Sequence, residues 1–372
     1  MAESTEALSE HQALMVLNGL PGMGPVLMNR MLSECGGDPR AVLGASRELL
    51  LAIRGVTARA AASVAEWREH FDLSREECWM KDWRCDFVSV RDPDYPPLLR
   101  ETHDPPIGLY RCGHYTLQDP CVAIVGSRKT TPYGLGVAKE MAAGLVHAGF
   151  CVVSGLAVGI DAAAHEGALE AGGKTVAVLG NGMDIDYPRQ NTRLRKRIAE
   201  SCAVLSEFPF ERPADKRSFA MRNRIVSGMS RAVVVIESDV DGGSMITARF
   251  AGEQGRILCA VPGRVDQASS RGCHQLIRDG ATLVTNVEEV LSELNYLKGM
   301  DAGSLRREVS PAFDLTDEER RMLACFKGGE ALGVDALMVR LGGEVGILGA
   351  SLLMLEMKGC VSRRIDGTYE AV

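Results

Sequence analysis

The chain of 372 residues is longer than one hydrophobic core usually fills, so two or three domains are expected. Its 46% hydrophobic and 24% charged residues are typical of a globular protein. There is neither an apolar stretch near the roughly 18 residues of a membrane span nor a signal-peptide layout, which predicts a cytoplasmic location, and the net charge of −7 argues against a protein coated with basic residues for duplex DNA.

The 11 cysteines are odd in number and scattered along the chain. Several lie inside apolar runs, which is typical of reduced thiols packed as small hydrophobic groups. Without a Cys-x-x-Cys spacing, neither Cys78 with Cys85 nor Cys112 with His114 indicates a metal site strongly. We therefore expect no metal and no cofactor.

Residues 1–75 are predicted to form a helical domain in which two short glycine turns recur. The turns lie in "LPGMGPVLMNRML" (20–32) and "IRGVTARAAASV" (53–64). Such turns are typical of helix-hairpin-helix units, whose backbone amides contact phosphate, although a small bundle for packing or protein contacts explains them equally well. Residues 76–118, with a proline-rich stretch at 92–113, are predicted to be an extended connector.

Residues 119–299 alternate apolar, β-rich runs with helical or polar stretches. Runs that are apolar on both faces belong to a buried parallel sheet, so this part is predicted to be a doubly wound α/β domain. The runs are "CVAIVG" (121), "CVVSG" (151), "TVAVLG" (175), "CAVLSEF" (202), "AVVVIES" (232), "ILCAVPG" (257) and "ATLVTN" (281).

Almost every predicted strand ends in glycine or a small hydroxyl residue, and ligands of such sheets bind beyond the carboxyl ends of the strands. Glycines there let backbone N–H groups approach an anion, and helix starts at Pro132, Ile160 and Met245 add positive charge. Arg128 and the Arg-Asn-Arg triplet 222–224 lie beside these ends. The pattern favours an extended anionic ligand over a single phosphate.

Basic residues concentrate between positions 187 and 224, where ten Lys or Arg against four Asp or Glu give a local charge of +6. Such a segment indicates either a localised polyanion site or a solvated helix face. Two common nucleotide sites are absent from the sequence. The second strand ends in Ser154-Gly155 and not in the acidic residue of a dinucleotide enzyme, and the Gly-Lys-Ser/Thr of a P-loop is missing.

The tail is predicted to be a third domain, 313–372, after a linker at 300–312. Helical patterns at 316–326, 334–341 and 347–358 precede "GCVSRRIDGTYEAV", which indicates a β-hairpin turning at Asp366-Gly367. Three helices and a hairpin predict a winged helix. Winged helices often bind duplex DNA, but this stretch is not strongly basic, so a protein contact or a regulatory role is an equal alternative.

Seven motifs in order closely resemble the DNA-processing protein A (DprA/Smf) family of bacteria. The resemblance runs from "YPPLL" in the connector to about residue 290. The motifs are "GSR" (126–128), "SGLAVGIDAAAHEGAL" (154–169), "LGNGMDIDYPRQN" (179–191), "SEFP" (206–209), "MRNRIVSGMS" (221–230), "GGSMITA" (242–248) and "AVPG" (260–263).

The resemblance implies a Rossmann-like core that binds single-stranded DNA, protects incoming strands in natural transformation and passes them to a RecA-type recombinase. It also implies a homodimer, a winged helix at the C-terminus and no catalysis. Together with the strand-end pattern, it places the DNA contacts at Gly126, Ser127, Arg128, Gly155, Gly159, Arg189, Asn191, Arg222, Asn223, Arg224, Gly243 and Ser244.

An enzyme is the main alternative. "DGGSMITARFAGEQG" (241–255) resembles a motif of nucleoside-monophosphate phosphoribohydrolases, in which Glu253 would act with Arg222. Asp161 and His165 stand one helical turn apart and could form an acid–base pair, but a carboxylate in a first helical turn is more typical of a cap. A pure interaction scaffold, which would bind no DNA, is the third class.

Overall fold

The computed structural model describes residues 8–298, 316–326, 332–341, 345–358, 360–363 and 368–371. The chain divides into two compact units, Met1–Leu305 and Arg306–Val372. The predicted linker at 300–312 lies outside the described residues.

A nine-stranded sheet forms the centre of the first unit, in the order β1-β2-β6-β5-β4-β3-β7-β8-β9. Strands β3 to β9 are parallel to one another, whereas β1 pairs with β2 and β2 with β6 in antiparallel fashion. The strands are β1 (Cys85–Ser89), β2 (Gly108–Gly113), β3 (Cys121–Gly126), β4 (Cys151–Ser154), β5 (Thr175–Leu179), β6 (Ala203–Ser206), β7 (Ala232–Ile236), β8 (Ile257–Ala260) and β9 (Thr282–Leu283).

All seven predicted strands are present in the parallel part, which confirms the α/β class. Their side chains are buried on both faces because helices cover the sheet on each side, as in β3, β5 and β7. The helices that follow β1 are α8 (Pro97–Arg100), α9 (Pro132–His147), α10 (Ile160–Glu170), α11 (Thr192–Ser201), α12 (Lys216–Gly228), α13 (Gly243–Glu253), α14 (Ala268–Arg278) and α15 (Val287–Lys298). Helix α13 begins two residues before the predicted start at Met245.

The order of the strands sets where the chain changes direction. From β3 the chain winds outward through β4, β5 and β6, then returns to place β7 on the other side of β3. The crevice at such a reversal, beyond the carboxyl ends of the strands, is where ligands bind in doubly wound sheets. The loops after β3, β4 and β5 lie at this edge.

The expectation of an extended connector at 76–118 is wrong, because this segment supplies β1 and β2. The two strands extend the parallel sheet beyond β6, with Tyr110 of β2 opposite Ser206 and Phe87 of β1 opposite Tyr110. Proline and charged residues around them obscure the strand pattern in the sequence. The first two residues of β1 are also not buried, since Cys85 is half-buried and Asp86 is exposed. The segment is therefore part of the sheet and not a tether.

Between residue 8 and β1 the structure describes seven helices, and the two predicted glycine turns join pairs of them. Gly22 (φ 78°) follows α1 and Gly55 (φ 87°) precedes α5, both in the left-handed region that favours glycine. The helices are α1 (Glu10–Gly19), α2 (Pro25–Glu34), α3 (Pro39–Leu43), α4 (Arg47–Ala52), α5 (Ala58–Ala65), α6 (Trp67–His70) and α7 (Leu73–Asp82).

These helices belong to the same compact unit as the sheet. The side-chain amide of Asn18 donates to the Glu207 carbonyl oxygen at 2.8 Å, and the buried Glu76 carboxylate accepts the Phe210 amide at 3.1 Å. A shared apolar cluster continues from α1 and α5 to β2 and α11. The helical region is therefore packed on the antiparallel end of the sheet.

The second unit contains α16 (Asp317–Ala324), α17 (Val334–Leu341), α18 (Val345–Met357) and the antiparallel pair β10 (Val361–Arg363) and β11 (Tyr369–Ala371). Leu332 forms a further bridge with Tyr369. Three helices and a hairpin match the winged-helix prediction, and the predicted turn at Asp366-Gly367 lies outside the described residues. Buried side chains from the three helices and β10 form its core.

Candidate nucleic-acid interface

Loops after β3, β4 and β5 meet helix α12 at the carboxyl edge of the sheet and enclose a small pocket of about 40 Å³. This volume is far below the roughly 300–1,000 Å³ of a small-molecule site, so a ligand would lie across the mouth of the pocket. The lining residues are Arg128, Gly155, Ala157, Val158, Leu179, Gly180, Asn181, Tyr187, Pro188, Phe219 and Arg222.

The first two loops are in direct backbone contact, and glycine makes this contact possible. Gly159 has φ 89° and ψ −129°, and a Cβ atom there would overlap the carbonyl oxygen of Ser127. The Ile160 amide donates to that same oxygen at 3.2 Å. At Gly126 a Cβ would overlap the Ile236 carbonyl oxygen. Both glycines therefore serve close packing, which fixes the backbone on either side of Arg128.

The carboxylate of Asp161 accepts hydrogen bonds from backbone amides that the sequence analysis proposed for an anionic ligand. Asp161, in the first turn of α10, accepts the amide of Gly155 at 3.1 Å and that of Ala157 at 3.4 Å. Burial raises the pKa of Asp161, and the guanidinium of Arg222 opposes this change. Asp161 therefore does not cap α10, whose N-terminus has no side-chain cap, but holds the preceding loop through the Gly155 and Ala157 amides.

A second buried carboxylate organises the loop between β3 and α9. Glu237, directly after β7, accepts the Thr131 amide at 2.9 Å and the Thr130 hydroxyl at 2.6 Å. The Ser127 amide in turn donates to the Glu237 carbonyl oxygen at 2.7 Å. The loop that carries Arg128 is thus attached to both β7 and α10, and the sequence analysis missed this role of Glu237.

Arg222 is buried beneath the pocket, with 5% of its surface exposed. Its guanidinium donates to the carbonyl oxygens of Gly155 and Val178, and a Cβ on Gly155 would overlap it. Burial lowers the pKa of Arg222 to about 10, and the Asp161 carboxylate opposes this change, so the group is charged at neutral pH. Its positive charge lies in the floor of the pocket, within the lining.

Arg224 does not lie in the pocket lining. It is 3% exposed, pairs with the buried Glu207 at 2.5 Å and lies 3.6 Å from a carboxylate oxygen of Asp104. Burial raises the pKa of Glu207, although the charge of Arg224 opposes the change. This placement argues against the predicted DNA contact of Arg224 and gives it a structural role.

The remaining predicted positions hold the edge together. The side-chain amide of Asn191 donates to the Leu156 carbonyl oxygen at 2.9 Å, and the side-chain amide of Asn223 donates to the Gly243 carbonyl oxygen at 3.3 Å. Ser244 is buried, and its hydroxyl donates to the Ser238 hydroxyl at 2.7 Å. Only Gly243 among these four is exposed, at the first position of α13.

Exposed groups with binding chemistry lie around the mouth of the pocket. The Arg128 guanidinium carbon is 5.0 Å from the ring centre of Phe219, and the Tyr187 ring is 5.3 Å from the same ring. Tyr187 is 42% exposed. Neither Phe219 nor Tyr187 is among the predicted DNA contacts, although Tyr187 lies in the "LGNGMDIDYPRQN" motif. The Arg128 cation and the exposed Tyr187 ring therefore both pack against the Phe219 ring.

The elements that carry Pro188 and Phe219 of the pocket, and helix α11 between them, also carry basic side chains. Three of the ten basic residues between 187 and 224, namely Arg195, Arg222 and Arg224, are buried. Arg212 pairs with Asp215 at 2.7 Å. The other six are exposed, on the short 3₁₀ helix Arg189–Asn191 and on α11 and α12: Arg189, Arg193, Lys196, Arg197, Lys216 and Arg217.

The candidate residues of the enzyme alternative contact other groups of the protein. Glu253 ends α13, ten residues and about 15 Å along the helix from Gly243, and its exposed carboxylate lies 3.5 Å from Arg249. His165 is fully buried, and its Nδ1 lies 2.6 Å from the Thr175 hydroxyl. Within the described residues, no three His, Cys, Asp or Glu side chains are placed to hold a metal ion.

Two family models match the chain. Residues 86–295 match DNA recombination-mediator protein A, and residues 306–367 match the DprA winged helix domain. The chain belongs to the DNA recombination-mediator protein A (DprA/Smf) family. This membership confirms the predicted family and gives the protein a role in DNA processing. The second match confirms the predicted winged helix. No helix among the described residues is long and apolar enough to cross a membrane.

Relatives in several bacteria support this assignment. Protein Smf of Synechocystis is 33% identical over 76% of this chain and 79% of its own length, and Protein Smf of Escherichia coli is 36% identical over 78% and 79%. The crystal structure of DNA processing protein A from Streptococcus pneumoniae aligns with a TM-score of 0.67 at 34% identity and covers 77% of this chain and 98% of its own. DNA processing protein A from Helicobacter pylori, whose structure describes a single-stranded DNA binding mode, aligns with 0.52 at 30% identity over 58% and 98%.

Proposed function

We propose that the protein binds single-stranded DNA along the carboxyl edge of its sheet, protects incoming strands during natural transformation and helps to load a RecA-type recombinase onto them. The DNA would contact Arg128 and Tyr187 at the pocket mouth. From there it would follow the exposed basic side chains of α11 and the start of α12. The function is binding, without catalysis.

One observation carries this proposal: the cation of Arg128 and the exposed ring of Tyr187 pack against the same Phe219 ring. A guanidinium binds phosphate oxygens bidentately, and an exposed aromatic ring stacks on an unpaired base. A single strand offers both groups at once, whereas a duplex keeps its bases stacked on each other. The arrangement therefore favours a single strand.

The basic surface beyond the pocket supports a polymer over a mononucleotide. Arg193, Lys196 and Arg197 are exposed one helical turn or less apart on α11, so their charges lie on neighbouring parts of its surface. Contacts of this kind are made to the backbone, so affinity would depend on salt and little on base sequence. The Helicobacter pylori relative, which binds single-stranded DNA, supports the same ligand.

The proposed partners rest on the family. A homodimer and a RecA-type recombinase stay predictions, as does the cytoplasmic location. Light scattering of the purified protein at micromolar concentration tests the dimer. Capture of purified recombinase by the immobilised protein, with and without a single strand, tests the second partner.

The central experiment compares fluorescence anisotropy with a labelled single strand and with a duplex of equal length. We expect tighter binding to the single strand in the absence of nucleotide. Tyr187→Ala should weaken single-strand binding by roughly fivefold or more, since base stacking on an aromatic ring contributes about 1–3 kcal/mol. Equal affinity for the duplex would contradict the proposal.

Tyr133→Ala is the matched control. Tyr133 is also exposed, at 58%, but it lines a separate cleft of about 580 Å³ on the other side of the β3–α9 loop. Its loss should leave DNA affinity unchanged, and an equal effect of both variants would show that the contact is not specific. Incubation with AMP tests the enzyme alternative, because a hydrolase would release free base.

A further inference from the structure

The thiols of Cys85 and Cys112 face each other across β1 and β2. The two residues are direct partners in the register of the antiparallel pair. The Val90 amide donates to the Ile107 carbonyl oxygen, which makes 90 and 107 a hydrogen-bonded pair in the continuation of the same register. Pairs alternate along an antiparallel ladder, so 85 and 112, five positions away, form a non-hydrogen-bonded pair.

This position suits a disulfide. In a non-hydrogen-bonded pair the Cα atoms lie about 4.5 Å apart, which is at the short end of the range that disulfides span. Both thiols donate to the carbonyl oxygen of Trp83 at 3.5 Å, which places the two sulfur atoms beside each other. Both residues are half-buried and so accessible to a small oxidant.

The surroundings favour a thiolate at Cys112. The hydrogen bond from Cys85 and the nearby charge of Arg195 lower the pKa of Cys112 to about 7, while burial and the Asp86 carboxylate oppose this change. The hydrogen bond to Cys112 and burial raise the pKa of Cys85. The thiolate is the nucleophile in thiol oxidation, so Cys112 is the sulfur that reacts with an oxidant first. Cys85 is the neighbouring thiol that can then react with the oxidised Cys112.

We propose that Cys85 and Cys112 form a reversible thiol–disulfide site that responds to hydroperoxides. The Cys112 thiolate attacks one peroxide oxygen, the O–O bond breaks, and the leaving hydroxide takes a proton to become water. The sulfur of Cys85 then attacks the resulting sulfenic acid, loses its proton, and releases a second water as the S–O bond breaks. Two thiols and one hydrogen peroxide give one disulfide and two waters, and a small dithiol reverses the reaction.

A second cysteine pair in the same sheet is a built-in control. Cys121 and Cys151 are register partners on the parallel strands β3 and β4, but they are 3% and 0% exposed. A hydrogen bond to Cys121 and burial raise the pKa of Cys151. This pair lacks solvent access, so it should stay reduced under conditions that oxidise the first pair.

The test uses the full-length protein, reduced and freed of reductant, then treated with hydrogen peroxide and mapped by mass spectrometry without reduction. We expect a peptide cross-link between Cys85 and Cys112 that dithiothreitol removes, while Cys121 and Cys151 stay free. Absence of this cross-link while the lone Cys78 and Cys35 become oxidised would overturn the proposal. The wild-type protein alone gives this result, so no variant needs to fold.

Variants assign the order of the two steps. In Cys85→Ser a dimedone adduct should accumulate on Cys112, because the sulfenic acid has no thiol to attack it. In Cys112→Ser little adduct should form on Cys85, and the lone-cysteine control Cys35→Ser should keep the cross-link. The reverse pattern of adducts would overturn the assignment of Cys112 as nucleophile. Circular dichroism checks the fold of each variant.

Discussion

Two groups of arginines lie near the same edge of the sheet and differ in what surrounds them. Arg128 is exposed on a loop and Arg189 on a short 3₁₀ helix, whereas Arg222 and Arg224 are buried in the middle of α12. The buried pair binds carbonyl oxygens and carboxylates of the protein itself. Identical side chains in neighbouring motifs therefore serve two purposes: the buried ones hold the loops in place and the exposed ones are available for a ligand.

This difference predicts that the two groups fail in different ways. Loss of a buried arginine leaves carboxylates or carbonyls without partners in a low-dielectric interior, which costs stability. Loss of an exposed arginine removes a phosphate contact and leaves the fold intact. Stability and DNA affinity, measured on the same variants, thus separate the two groups.

The largest effect is expected for Arg224→Ala. Removing one partner of a buried ion pair leaves Glu207 charged and unpaired, so the free energy of unfolding should fall by about 3–5 kcal/mol. Urea unfolding at neutral pH measures the loss. The double variant Arg224→Met with Glu207→Leu should recover much of the stability, because it removes the buried carboxylate together with its partner and leaves only the partly exposed Asp104 unpaired. Wild-type stability with lost DNA binding in Arg224→Ala would instead make Arg224 a phosphate ligand.

Gly159→Ala should also damage the fold, through the loop that positions Arg128. The combination φ 89° and ψ −129° is open to glycine almost alone, and the new methyl group would overlap the Ser127 carbonyl oxygen. We expect a loss of roughly 2–3 kcal/mol in thermal or urea unfolding. Gly136→Ala is the matched control, because a Cβ there meets nothing within 4 Å, and it should be neutral or slightly stabilising. Equal stability of both variants would show that the loop contact is soft.

The sequence was sufficient to predict the parallel sheet and the edge that carries the candidate site. Strands such as β5 and β7 are buried on both faces, so they appear as continuous apolar runs. Strands β1 and β2 escaped because they are antiparallel additions near prolines, with side chains that are partly exposed. Their sequence resembles that of a loop, and they form strands because β2 pairs with β6 and β1 pairs with β2.

The roles of the arginines could not be predicted from the sequence, because their partners are distant along the chain. Arg224 is buried by Glu207, 17 positions earlier, and Arg222 by the carbonyl oxygen of Gly155, 67 positions earlier. Local composition counts both as positive surface charge. The same limit applies to Asp161. From the sequence, the amides of the glycine-rich loop are available to a phosphate, but in the fold two of them donate to the Asp161 carboxylate.

The buried region should also make stability depend on pH through His165. Burial and the charge of Arg222 lower the pKa of His165 to about 3, against about 6.5 in an unfolded chain. As the pH falls below 6.5, the unfolded chain takes up a proton that the folded protein cannot. Stability is therefore lost toward acid, by about 1.4 kcal/mol per pH unit for this one group.

His165→Gln isolates this contribution, since glutamine stays neutral at every pH. Between pH 7 and pH 5 the wild-type protein should lose about 2 kcal/mol more than the variant, whatever the stability of the variant at pH 7. Urea unfolding at pH 7, 6 and 5 gives both slopes. Parallel slopes would show that the pKa of His165 is the same in the folded and the unfolded protein.

The smallest effect on stability and the most specific effect on function are expected for Arg128→Ala. Arg128 is exposed, and its guanidinium packs against one face of Phe219, so the melting temperature should stay nearly unchanged. Single-strand affinity should fall by about tenfold, or about 1.4 kcal/mol, whatever the base sequence. Loss of one phosphate contact should also flatten the plot of log affinity against log salt by about 0.7. Arg249→Ala, which removes an exposed charge at the far end of α13, should change neither quantity. Wild-type affinity and salt slope in Arg128→Ala would mean that the exposed arginines at this edge are no more specific for DNA than the buried ones.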